Sequence, residues 1–167
     1  MKEKTMNLKV YHGSIFKVEQ PNLETLNHRT DFGKGFYTTN DYEQAERWAK
    51  IKRNRLHADS SYVNVYEYTE DESLNILDFK ETTEEWLKFV FKNRESDVLA
   101  HKYDIVKGPV ANDNLYLTLS GYEKGIYDFE ETIKRLKAYT LVNQVSFHTI
   151  KALDTINHIE TIQVEGK

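Results

Sequence analysis

Hydrophobic and polar positions along the 167-residue chain switch repeatedly between a period of two and a period near 3.6. Leu8–Tyr11 alternates and then meets His12-Gly13-Ser14, which predicts a short strand running into a turn. Residues 15–36 carry Pro21, Asn22, Asn27, Gly33 and Gly35 and no helical period, so they predict a long loop of the kind compact domains keep for function. Asn40 or Asp41 then caps a helix through about His57, with Tyr42, Ala45, Trp48, Ala49 and Ile51 at helical spacing. Glu43 with Arg47, and Glu46 with Lys50, stand four apart in the favourable order.

Tyr62–Tyr68 alternates and predicts a half-buried strand, and Leu74–Phe79 a shorter one. Thr83–Asn93 predicts a helix with Trp86, Leu87, Val90 and Phe91 on one face, and Tyr103–Val106 a strand ending at Gly108-Pro109. A helix over Phe129–Tyr139 with Ile133 and Leu136 inward follows. After it come a strand over Gln144–Phe147, a short helix over Thr149–Ile156 and a strand over Ile159–Val164. Strands and helices mix without a regular βαβ repeat. The expectation is an α+β fold on an antiparallel or mixed sheet, as one domain over residues 1–167.

Composition narrows the chemistry. The chain has no cysteine, which excludes disulfides, thiolate metal sites and cysteine nucleophiles. Net charge is −4 with a pI near 5.9, against binding nucleic acid through the whole surface. The basic run Arg47, Lys50, Lys52, Arg53 and Arg55 reads first as a solvated helix face, and second as a landing site for phosphates or an acidic partner. No apolar run reaches membrane-spanning length and Met1–Asn7 has no apolar signal core, so the expectation is a cytoplasmic protein without a membrane partner. The six histidines show no metal spacing, and dinucleotide and Walker fingerprints are absent, so no metal is expected.

Three stretches carry candidate chemistry: Val10-Tyr11-His12-Gly13-Ser14, Asp31-Phe32-Gly33-Lys34-Gly35-Phe36-Tyr37 with the helix to Trp48, and Asn143-Gln144-Val145-Ser146-Phe147-His148. In this order they resemble the ADP-ribosyltransferase superfamily, on the branch of the poly(ADP-ribose) polymerase catalytic domains. The whole chain looks closer still to a small bacterial family, the domain of unknown function 3990. There the Asp31–Tyr37 stretch, Gln44-Ala45-x-x-Trp48-Ala49, Asp104-Ile105-Val106-x-Gly108-Pro109-Val110-Ala111 and Asn143-Gln144 recur.

The resemblance implies a split β-sandwich with flanking helices and an NAD-dependent mono-ADP-ribosyltransferase that passes ADP-ribose from NAD to a protein or nucleic-acid acceptor. It further implies a bacterial toxin or defence effector with an antitoxin-like protein partner. His12, Tyr37 and Gln144 take the catalytic positions of this His-Tyr-Gln variant. His12 and Ser14 would hold the adenosine ribose, and the Gly13 backbone the nicotinamide carboxamide. Tyr37 and Trp48 would stack the pyridinium ring, at about 0.5–2 kcal/mol per face. Gly33 and Gly35 would let the turn approach the ligand, with Lys34 a cation at the rim. Tyr37, Trp48 and Ser14 each also read as ordinary core or turn residues.

Two departures matter. Gln144 replaces the family's glutamate, and losing such a preorganised charge costs about 3–4 kcal/mol, roughly 10²–10³ in rate. Ala45 replaces a serine that contacts the carboxamide. Glu24, Asp31, Asp104 and Asp113 are candidates for a compensating carboxylate, and His148 reads as an assistant or as a plain strand-end histidine. The alternative is a catalytically weak or inactive NAD- or ADP-ribose-binding interaction module. A third reading is a domain that binds a protein partner through the basic helix. The segment Lys107–Asn114 shapes the acceptor side of the cleft or is a structural turn.

Overall fold

The computed structural model describes residues 7–23, 30–96, 101–110, 113–136 and 143–165. In chain order these form β1 (Asn7–Ser14), β2 (Phe36–Thr39), α1 (Tyr42–Leu56), β3 (Tyr62–Thr69), β4 (Ile76–Asp78), α2 (Glu84–Glu95), β5 (Ile105–Pro109), α3 (Asp113–Glu123), α4 (Phe129–Leu136), β6 (Asn143–Phe147), α5 (Ile150–Leu153) and β7 (Ile156–Gln163). The strands make one mixed sheet in the order β4-β5-β6-β2-β1-β3-β7. Only β4 and β5 run parallel; the other neighbours are antiparallel. The expected α+β class on a mixed sheet therefore holds.

Local chemistry fixes α1. Asp41 accepts from the backbone N–H groups of Glu43 and Gln44, and His57 ends the helix in a left-handed conformation at φ 53°. Glu46 and Lys50 stand 3.7 Å apart as read, whereas Arg47 donates to Gln44 Oε1 at 2.8 Å. Gln44, Ala45 and Ala49 form the buried stripe. The helix lies on β1 with almost no side chain between: a Cβ at Gly13 would sit 2.1 Å from the Ala45 carbonyl oxygen. Two alanines and one glycine bring the two backbones together.

The sheet is nearly cut in its middle. β1 pairs with β3 over eight positions and β2 with β6 over four, but β1 and β2 meet at the single pair Tyr11↔Thr39. The core is divided accordingly. Val10, Phe36, Tyr66, Tyr68 and Phe147 pack in one cluster, Phe32, Trp86, Val90, Val106 and Leu136 in a second, and Ala45, Ala49, Val63 and Val65 under α1 in a third.

Several boundaries differ from those read in the sequence. β1 continues through His12-Gly13-Ser14, because β3 offers a partner at each position out to Ser14↔Tyr62. Val63–Tyr66 of β3 is buried on both faces and not on one, since α1 covers one face and the Tyr66 cluster the other. β5 runs through Gly108-Pro109, whose last carbonyl accepts from Trp86 Nε1 at 3.2 Å. Proline is tolerated at this strand end because no further ladder donor is needed. α3 was not anticipated. α4 is described to Leu136, and residues 137–139 of the expected helix lie outside the described residues. α5 is shorter than expected and β7 starts at Ile156, where it pairs with Tyr68.

Candidate functional site

The gap between β1 and β2 is bridged by a side chain. His12 Nδ1 lies 2.7 Å from the Tyr37 carbonyl oxygen. A carbonyl can only accept, so Nδ1 carries the proton and Nε2 is left as an acceptor. The ring packs on Phe36 at 4.2 Å between centroids. Burial, and to a lesser degree the Lys52 charge, pull the imidazole down to a pKa of about 3, so it is neutral at ordinary pH.

Tyr37 follows Phe36 along β2 and therefore points to the opposite face from the His12 ring. Its hydroxyl donates to the Gly33 carbonyl at 2.6 Å, accepts from Phe32 N at 2.9 Å and meets Thr30 Oγ1 at 2.9 Å. Burial pushes this phenol well above its usual range. Its ring is offset-stacked with Phe32 at 6.4 Å and edge-on to His148 at 6.2 Å. Tyr37 thus ties the Thr30–Gly33 turn to β2, and Gly33 makes that turn at φ 86°. At Gly35 the fold itself leaves no room for a side chain: a Cβ there would lie 2.6 Å from His148 Nδ1.

His148 is buried. Its Nδ1 donates to the Lys34 carbonyl at 2.7 Å, and Nε2 lies 2.7 Å from Ser146 Oγ. Burial lowers its pKa to about 4. It acts on the Gly33–Gly35 turn through the Lys34 backbone, while the Lys34 side chain is partly exposed.

Gln144 lies opposite Thr39 in the β2–β6 register, beside the Tyr37↔Ser146 pair, so it shares a face with Tyr37. It is 3% exposed, and Nε2 donates to Asp31 Oδ2 at 3.0 Å. Asp31 in turn accepts from Arg94 Nε at 2.9 Å and Nη2 at 2.5 Å. Among the candidate carboxylates with described side chains, Asp31 is the one that the fold brings to Gln144. Asp104 instead caps Thr149 and Asn75 N, Glu24 lies outside the described residues, and the side chain of Asp113 is likewise not described. Arg94 carried no signal in the sequence: it is an ordinary cation in the last turn of α2, 63 residues from Asp31.

The remaining expected residues are more dispersed. Trp48 is half-buried on α1 and forms no ring pair with Tyr37. Ser14 is buried, and its Oγ accepts from Phe16 N at 3.1 Å as a turn residue does. The Gly13 carbonyl already accepts from Lys52 Nζ at 2.8 Å. The basic run is thereby divided: Lys52 turns inward, Lys50 pairs with Glu46 and Arg47 with Gln44. Asn64 was missed altogether. It is buried beneath His12, accepting from Val18 N at 2.8 Å and donating to Phe16 O at 3.1 Å, which pins the chain leaving β1. No group of three potential metal ligands occurs among the described residues, and no described helix is long and apolar enough to cross a membrane.

The site is therefore a neutral imidazole at an open seam, a tyrosine-braced glycine turn and a buried glutamine held by a carboxylate. They stand on the adjacent strands β1, β2 and β6. A family model described as "Protein of unknown function (DUF3990)" matches residues 8–158. No curated protein and no solved structure matches the chain.

Proposed function

For this chain, which belongs to the DUF3990 family, we propose the function of an NAD-dependent mono-ADP-ribosyltransferase. The observation that carries the reading is the adjacency of β1, β2 and β6 at the centre of the sheet, with the sheet open between the first two. That seam also favours the split β-sandwich expected from the resemblance to the ADP-ribosyltransferases. NAD lies across the seam, with His12 Nε2 accepting an adenosine-ribose hydroxyl. Trp48 and the Tyr37 turn border the nicotinamide end. No metal takes part.

The reaction breaks the bond between C1′ of ribose and the pyridinium nitrogen. Nicotinamide leaves with that electron pair as a neutral base, the acceptor nucleophile bonds to C1′, and the acceptor proton passes to solvent. Gln144 accepts from the ribose 2′-hydroxyl through Oε1, because its Nε2 is committed to Asp31. Asp31 is a positioning residue: it fixes the amide and places negative charge behind it, which Arg94 partly offsets. A neutral amide favours single transfer over chain elongation. A bacterial toxin or defence role, a cytoplasmic setting and an antitoxin-like partner rest on the resemblance alone.

The test is incubation with NAD labelled in the adenylate half, with protein and nucleic-acid acceptors supplied separately. Label on either acceptor with equimolar free nicotinamide is expected; neither label nor nicotinamide overturns the transferase. The alternative, an NAD- or ADP-ribose-binding module without turnover, is favoured by the Arg94–Asp31 ion pair, which drains charge from the site. It predicts a rise in melting temperature with NAD and no consumption.

A further inference from the structure

The chain leaving β1 is held by buried side chains at residues 16–18. Asn64, buried on β3, donates through Nδ2 to the Phe16 carbonyl at 3.1 Å and accepts at Oδ1 from Val18 N at 2.8 Å. Ser14 Oγ accepts from Phe16 N, and the Tyr66 hydroxyl donates to the Val18 carbonyl. The Asn64 amide is fixed in turn, because Thr161 Oγ1 donates to the same Oδ1 at 2.8 Å and is itself met by His158 Nε2 at 2.7 Å. The backbone N–H and C=O of both Phe16 and Val18 are thus taken inside the fold. This strap offers a partner no strand edge and presents side chains instead. Its phenyl, Phe16, is 65% exposed.

Cations and a second ring stand at the same end of the sheet. Lys17 Nζ lies 5.6 Å from the centroid of Tyr62, which opens β3 opposite Ser14. The end of α1 arrives here too, since Lys52 donates to the Gly13 carbonyl. Tyr42 of α1 packs on Tyr11 and faces Glu160 of β7, so the opposite flank of the helix, which carries Arg55, looks to the open side of β1. Lys17 and Arg55 are exposed and form no ion pair among the described residues. The carboxylates Asp59 and Glu165 belong to the α1–β3 connection and the far end of β7, and Glu19 follows the strap. Phe16 and Leu56 are the two large apolar side chains exposed at this end, too few for the core of a protein interface, whereas one ring beside one cation serves each nucleotide of a single strand. We propose that Phe16, Lys17, Tyr62 and Arg55 form a platform for single-stranded nucleic acid, with a base stacked on Phe16 and phosphates on Lys17 and Arg55. The platform borders the open seam, because β1 pairs with β3 out to Ser14 but with β2 at Tyr11 alone. It deepens the transferase reading by naming the acceptor class, and rests on that reading for the transfer step alone.

The test is fluorescence anisotropy of the whole chain with short labelled single strands of RNA and DNA of mixed sequence, the matching duplex, and polyglutamate as competitor, over a range of salt. Wild type is compared with Phe16→Ala, Phe16→Trp, Lys17→Met and Arg55→Met, all at exposed positions, so urea midpoints should stay near wild type. Single strands are expected to bind more tightly than the duplex. Phe16→Ala should weaken them roughly 5–150-fold, the loss of one stacked base, and Phe16→Trp should keep the affinity. Lys17→Met and Arg55→Met should each lower the salt slope by about 0.7. No binding at low salt, a duplex bound as tightly as the single strands, or Phe16→Ala binding like wild type overturns the proposal. Polyglutamate displacing the strands at equal charge also overturns it, since charge alone then suffices. Strand binding that depends on Phe16, without nicotinamide release from NAD, keeps the platform and removes the transferase. Label passing from NAD to protein acceptors, with no strand bound, keeps the transferase and removes the platform.

Discussion

Gly13→Ala tests the contact on which the site is built. The added Cβ would lie 2.1 Å from the Ala45 carbonyl oxygen and 2.8 Å from Ala49 N, both backbone atoms of α1. No rotamer relieves them, so α1 must move away from β1 by about 1 Å to reach a tolerable separation. Overpacking of this kind costs typically about 1–3 kcal/mol, and contact with backbone on two successive turns places it at about 3 kcal/mol. The lift also separates Lys52 Nζ from the Gly13 carbonyl. In urea, with an m-value near ~2 kcal/mol/M, the midpoint should fall by about 1.5 M at unaltered m. A midpoint within about 0.3 M of wild type would refute the seating of α1 directly on β1.

Acid should weaken the fold through two histidines. His12 and His148 are held at about 3 and about 4, so below their ordinary value of 6.5 the unfolded chain binds more protons and stability falls with pH. By pH 4.5 the loss approaches about 2–3 kcal/mol per histidine, and equal urea midpoints at pH 7 and 4.5 would contradict it. Arg94→Gln removes the ion pair of Asp31, whose side chain is 9% exposed, and should cost about 3 kcal/mol by denaturant melting. Gln144→Glu sets a second carboxylate 3.0 Å from Asp31 and should destabilise, while pairing it with Asp31→Asn restores the hydrogen bond with its charge moved across. A double-mutant cycle with coupling below about 0.5 kcal/mol would rule out that pairing. Tyr37→Phe leaves Phe32 N–H without its acceptor and should cost about 2 kcal/mol, together with faster amide exchange over residues 30–35.

The readable parts of the site are those whose chemistry is local. The three motif segments were marked by residue types that recur at fixed spacing, and β1, β2 and β6 indeed carry them side by side. Gly13, Gly33 and Gly35, which the resemblance assigns to a ligand, each also meet a demand of the fold. Gly13 admits α1, Gly33 supplies a positive φ and Gly35 makes room for His148. Each of these demands comes from a segment far off in the chain or from the turn's own path, and glycine looks the same in all three.

What the amino-acid sequence determined alone was most of the elements, α3 excepted, and part of their punctuation. Asp41 and Thr83 cap α1 and α2 with their own side chains, and the alternation in β3 and β6 sets which residues face together, since these are interactions between near neighbours. Tertiary structure decided the rest: that β1 runs on through Ser14, that the sheet opens beyond Tyr11↔Thr39, that Asp31 meets Gln144 across 113 residues, and that Lys52 folds back on Gly13. Register between strands and the seating of a helix on a sheet depend on which distant surfaces pack best. No local periodicity encodes that choice.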